Sequence, residues 1–161
     1  MGVGLLPRVL GLIFPLCATQ GAAGVTPPGA VDFDHLVRPG TPNTALAAPA
    51  GFTPKPDIIT PHYDLPARRL FAIVTGIASH RKRTYQLDSL PDRLQAAFVV
   101  RSGRANFPDI VELAVRPAGA DASRLILYSR SIYGYSDFGV NAARLHVWLG
   151  AIADTVGGNA S

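Results

Sequence analysis

The sequence predicts an α+β domain: an antiparallel sheet of three to five strands with two helices packed on one face. Two hydrophobic periods and their order along the chain carry that prediction. Leu70, Ile73, Val74 and Ile77 recur at the spacing of one helical face, and so do Leu145, Trp148, Leu149 and Ile152. Between these stretches Leu94, Ala96, Phe98 and Val100 alternate with Gln95, Ala97, Val99 and Arg101, the period of a half-buried strand. Val111, Leu113 and Val115 repeat it, as do Leu125, Leu127 and Ser129 against Arg124, Ile126, Tyr128 and Arg130. A helix, a run of strands and a helix leave each helix needing an apolar face to lie on, and one side of the sheet supplies it.

The first helix is expected over 67–79, because Pro66 suits the opening position, where its missing donor has no partner to lose. Strands follow near 84–88, 94–101, 111–115 and 124–130, separated by the turn residues Gly103, Asn106, Pro108, Pro117 and Gly119. The second helix is expected over 141–154, with Gly157 and Gly158 ending it. The domain is thus placed at 66–155, with a flexible tail over 156–161.

Ahead of it, residues 25–65 are proline-rich, and nine of the 14 prolines fall between Pro27 and Pro66. Proline removes a donor and pushes its predecessor toward extended geometry, so this stretch is expected to be an extended, irregular arm, with helices and central strands excluded for most of it. Phe33, Leu36, Leu46, Phe52, Ile58, Ile59 and Tyr63 punctuate it, which implies that the arm lies along the domain and buries them singly. Residues 1–24 have the grammar of a signal peptide: Arg8, an apolar run from Val9 to Ala18, then Gly21, Ala22, Ala23 and Gly24. The run is too short to cross a bilayer, and cleavage is expected near Ala23. The alternative is an uncleaved apolar segment that packs on the domain or anchors at a membrane. A lipoprotein reading through Cys17 is disfavoured by Leu16 before it, where a small residue is wanted.

Composition narrows the function classes. In 161 residues, 48% hydrophobic and 16% charged content excludes disorder throughout, and a net charge of +4 names no partner. A single cysteine excludes an internal disulfide and a cysteine-based zinc site built by this chain alone. His35, His62, His80 and His146 have no ligand spacing, so neither a metal nor another cofactor is expected. Nucleotide-binding glycine motifs and H-E-x-x-H are absent, and Gly134-Tyr135-Ser136-Asp137-Phe138-Gly139 misses a nucleophile elbow by one residue. No catalytic residue is therefore assigned. Arg81-Lys82-Arg83 suits the end of the first helix, where cations complement exposed carbonyls, and nothing in it requires nucleic acid.

The densest polar stretch is Tyr128 to Arg144, between the last strand and the last helix. Arg101, Asp109, Arg130, Ser136, Asp137, Asn141 and Arg144 form the candidate cluster, either structural or anion-binding. In the structural version Asp137 or Asn141 caps the helix and an arginine pairs with Asp109 or Asp137. In the binding version Arg130 and Arg144 converge at the amino end of the helix and take phosphate or an acidic headgroup.

Several strings resemble one family. Ala96-Ala97-Phe98-Val99-Val100-Arg101-Ser102, Phe107-Pro108-Asp109, Tyr128 to Ser131, Tyr133 to Asn141, Arg144 and Trp148 are similar to the bacterial and plastid domain of unknown function 1499. Asp32-Phe33, Arg38-Pro39, Pro42-Asn43 and Ala48-Pro49 extend the resemblance into the arm, to about 32–152. Ile132 and Ala142 stand where the family commonly has arginine. The resemblance implies a compact domain in exported or membrane-associated proteins and supplies no reaction. The expected function is thus an exported, non-catalytic envelope domain that binds a partner protein or surface, periplasmic or membrane-associated. An anion or lipid-headgroup binder using Arg130 and Arg144 is the alternative, and a hydrolase the remote one.

Overall fold

Seven strands, more than the sequence predicts, form one sheet in this computed structural model, which describes residues 4–158. They are β1 (Thr44–Ala48), β2 (Ile58–Ile59), β3 (His62–Tyr63), β4 (Thr84–Leu90), β5 (Gln95–Arg101), β6 (Pro108–Pro117) and β7 (Ser123–Ser131). The order is β2-β1-β7-β6-β5-β4, with β3 also pairing β7. β4 to β7 form an antiparallel meander, continuous in registers such as Val111↔Ser129 and Phe98↔Val111 and shifted between β4 and β5 at Gln86–Asp88. β1 and β2 are parallel, so the sheet is mixed and the expectation of three to five purely antiparallel strands is wrong. Among the described residues the α-helices are three: α1 (Leu5–Leu10), α2 (Ala67–Ser79) and α3 (Val140–Gly158).

The error lies in the arm. Proline bars a ladder position only where it stands, and Thr44–Ala48 is a proline-free window between Pro42 and Pro49. β1 is no edge: it lies between β2 and β7, in register Thr44↔Arg130 to Ala47↔Leu127. β3 continues along the same side of β7, His62 opposite Arg124. α3 also runs past Gly157 to Gly158, so the described part of the expected tail is helical and the rest lies outside the described residues.

Alternation assigns the faces. Phe98, Val111, Leu113, Val115, Leu125 and Leu127 form one core with Leu70, Phe71 and Val74 of α2 and Leu145, Trp148 and Ile152 of α3. Trp148 meets Phe98 edge-on at 6.1 Å between ring centres. The opposite face is also covered. Phe33 of the arm packs on Leu46, Ala114, Ile126 and Tyr128, while Leu16, Ala22 and Val25 pack on Val99 and Ile110. β5 is therefore buried on both faces rather than half-buried, down to Ala97, Val99 and Arg101.

Candidate functional site

Asp109 is the second residue of β6, directly across from Ser131 at the close of β7. Both project to the helix side, since Val111 and Leu127, an even number of residues away, lie in that core. The first turn of α3 meets them there. Arg144 donates to Asp109 Oδ2 at 2.6 Å, to Ser129 Oγ at 2.9 Å and to Asn141 Oδ1 at 2.7 Å. Asn141 is fully buried and donates to Ser131 Oγ at 2.9 Å and to the Asn43 carbonyl at 3.0 Å. Asn43 in turn donates to the Gly134 carbonyl at 2.8 Å, which ties the loop after β7 to the residue before β1. Burial pushes the Asp109 carboxyl above the usual carboxylate range, and the attraction of Arg144 offsets it only in part.

Asp137 starts α3. Its two oxygens accept from the N–H groups of Gly139 at 2.9 Å and Asn141 at 2.8 Å. Burial raises its pKa, but the backbone donors of Asn141 and Gly139 outweigh that and hold it below the usual range. Ser136 accepts the Phe138 N–H at 3.2 Å, and Phe138 itself has φ +53 with its ring 95% exposed.

Arg130 and Arg144 do not converge. Arg130 sits one residue from Ser129 and so points to the other face of β7, with Ile126 and Tyr128. There it pairs with Glu112 at 3.1 Å, a glutamate whose side chain is 5% exposed. Arg101 is apart from both and binds residues of the N-terminal segment. The seven sequence candidates thus divide into a tied cluster of Asp109, Asp137, Asn141 and Arg144, the loop residue Ser136, and two separate arginines. Sequence reasoning missed Asn43, Asn106 and Glu112. Asn43 was within reach through the arm's resemblance, whereas Glu112 sits in a run dominated by apolar neighbours.

Beside the cluster opens a cleft of about 300 Å³. Its walls include Phe14, Phe107, Tyr133 and Phe138, with Asp109 and Asp137 at the side. Phe14 lies 5.4 Å from Phe107 and 5.0 Å from Tyr133 between ring centres. Among the described residues no group of three or more His, Cys, Asp or Glu could hold a metal ion, and no histidine lines the cleft.

Solved structures similar to this chain include the di-domain ARO/CYC StfQ from the steffimycin biosynthetic pathway, 11% identical over 61% of this chain and 44% of that one, TM-score 0.47. The di-domain ARO/CYC BexL from the BE-7585A biosynthetic pathway is 12% identical over 57% and 43%, TM-score 0.43. TTHA0849 from Thermus thermophilus is 11% identical over 73% and 99%, TM-score 0.41. The chain spans less than half the length of the two di-domain proteins, and likenesses this distant carry no implication for ligand or reaction. No curated protein matches it. The sequence profile of one family covers residues 36–152, from the arm through the cluster to the last helix, and the chain belongs to that family, protein of unknown function DUF1499.

Proposed function

We propose that this chain is an exported, non-catalytic domain of the cell envelope that binds a partner protein at the mouth of the aromatic cleft. The supporting observation is the exposure of large apolar side chains there: Phe138 at 95% and Val140 at 51% line the cleft, and Tyr135, between the lining residues Gly134 and Ser136, is 71% exposed. Their loop is held by Asn43 and by the Asp137 cap, so these side chains are presented on a tied backbone. Covering a phenylalanine is worth about 1.5–3 kcal/mol, and clustered exposed apolar groups are what a docking partner covers.

The headgroup reading loses its basis, because Arg144 already has three acceptors and Arg130 faces the other side of the sheet. Export rests on the short apolar run and the small residues near Ala23. The test is capture of a defined partner from envelope fractions by the parent and by Phe138→Ser. Capture that survives raised salt and falls in the variant supports the reading; capture that salt abolishes, or that ignores the substitution, refutes it.

A further inference from the structure

Residues 14–24, the end of the leader-like segment, lie in a groove that recognises main chain. Arg101 is 3% exposed and, among the described residues, has no carboxylate partner. Its Nε donates to the Gly21 carbonyl at 2.9 Å, one terminal nitrogen to the carbonyls of Leu16 and Asn106, and the other to Thr19 Oγ1 at 2.8 Å. Asn106, at φ +58, donates to the carbonyls of Cys17 at 2.9 Å and Thr19 at 2.8 Å. The Tyr133 hydroxyl accepts the Leu16 N–H at 3.3 Å, while the Phe14 ring completes the cleft wall. Arg83 donates to Asn106 Oδ1 at 3.2 Å, so two guanidinium groups flank this socket. Neutral carbonyl and hydroxyl oxygens satisfy the donors of Arg101 but leave its charge without a carboxylate counter-ion, which a buried charge favours.

We propose that this groove is a receptor for a peptide C-terminus of the form aromatic–x–aliphatic–carboxylate, and that Phe14-Pro15-Leu16 fills it in cis until the segment is processed or displaced. Leu16 sets the register: its carbonyl rests on Arg101, so a peptide ending there places a carboxylate on the guanidinium. The aromatic residue two positions earlier takes the place of Phe14 between Phe107 and Tyr133. The inference rests on the partner-binding reading above and names the partner's chemistry.

The experiment inserts a specific protease site after the exposed Thr26 of the full chain, which is folded intact and then cut so that the segment can leave. Fluorescein-labelled Gly-Phe-Pro-Leu, as free acid and as amide, is titrated by anisotropy. The acid binds the cut chain about tenfold tighter than the amide, the step that one charged hydrogen bond supplies, and about tenfold tighter than it binds the uncut chain. Arg101→Met equalises acid and amide, Arg101→Lys keeps part of the preference, and an unlabelled peptide of residues 14–24 displaces the probe from the cut chain that retains Arg101. Equal affinity for acid and amide, indifference to cutting, or a cut segment that never dissociates would overturn the proposal. Dodecanoate competing as well as the peptide acid would overturn it in favour of a lipid. Should Phe138→Ser leave envelope capture untouched while the acid preference stands, the partner reading fails and the receptor survives; the converse result removes only the receptor.

Discussion

Replacing Arg144 by methionine keeps an unbranched, largely apolar stem and removes the guanidinium with its three hydrogen bonds at once. The side chains of Arg144 and Asp109 are 11% and 12% exposed, so the orphaned carboxylate cannot recover its hydration. Breaking a buried pair from one side costs about 3–5 kcal/mol. Asp109 has an escape, because burial already holds its pKa above the usual range and removing Arg144 takes away the largest opposing attraction. The carboxyl of the variant therefore takes up a proton at higher pH than that of the parent, which limits the loss to about 3 kcal/mol near neutrality. At about 2–4 °C per kcal/mol for a chain of this size, Tm falls by roughly 6–12 °C. The deficit shrinks as pH is lowered and Asp109 is neutralised. A second variant, Arg144→Met with Asp109→Leu, removes both charges and regains most of the loss. The assays are thermal melts from pH 4 to 8 and a carbon-13 titration of the Asp109 carboxyl. A Tm within about 2 °C of the parent, or a deficit that deepens in acid, would refute the tie.

Arg130→Ala leaves Glu112 buried without its partner and lowers stability by roughly 1–3 kcal/mol in urea unfolding, less than Arg144→Met because Arg130 is one-third exposed. Asp137→Ala removes the cap of α3 and costs about 1 kcal/mol at neutral pH. The folded-state pKa of Asp137 lies below its unfolded value, so this stability is present above the ordinary carboxylate range and lost as pH falls through the folded value; the variant matches the parent at the acid end of the melts. Tyr63, in the core beneath α2, is pushed by burial up to about 12. Its proton is held more tightly in the folded chain, so stability falls as pH rises from about 10 toward 12, and Tyr63→Phe flattens that decline in alkaline melts.

Local chemistry was legible in the residues themselves. The helical face of Leu70, Ile73, Val74 and Ile77 is a matter of 3.6-residue geometry, and α2 occupies Ala67–Ser79. The alternation of Leu125 and Leu127 with Ile126 and Tyr128 follows from the pleat alone, and it already set Arg130 on the face opposite Ser129. Asp137 as a cap could likewise be read from its place before the last helix. Tertiary structure decided which segments those faces meet. Strand β1 is mostly alanine and lies in proline-rich chain, so nothing local marks Thr44–Ala48 as a strand; pairing with β7 supplies the backbone partners that its own composition does not favour. The carboxylate partner of Arg144 lies 35 residues away and the acceptors of Arg101 as many as 85. Short periods are written into covalent geometry and solvent exposure, whereas the choice among distant polar groups is made by packing, which brings Asp109 to Arg144 and hands Arg101 to the carbonyls of the N-terminal segment.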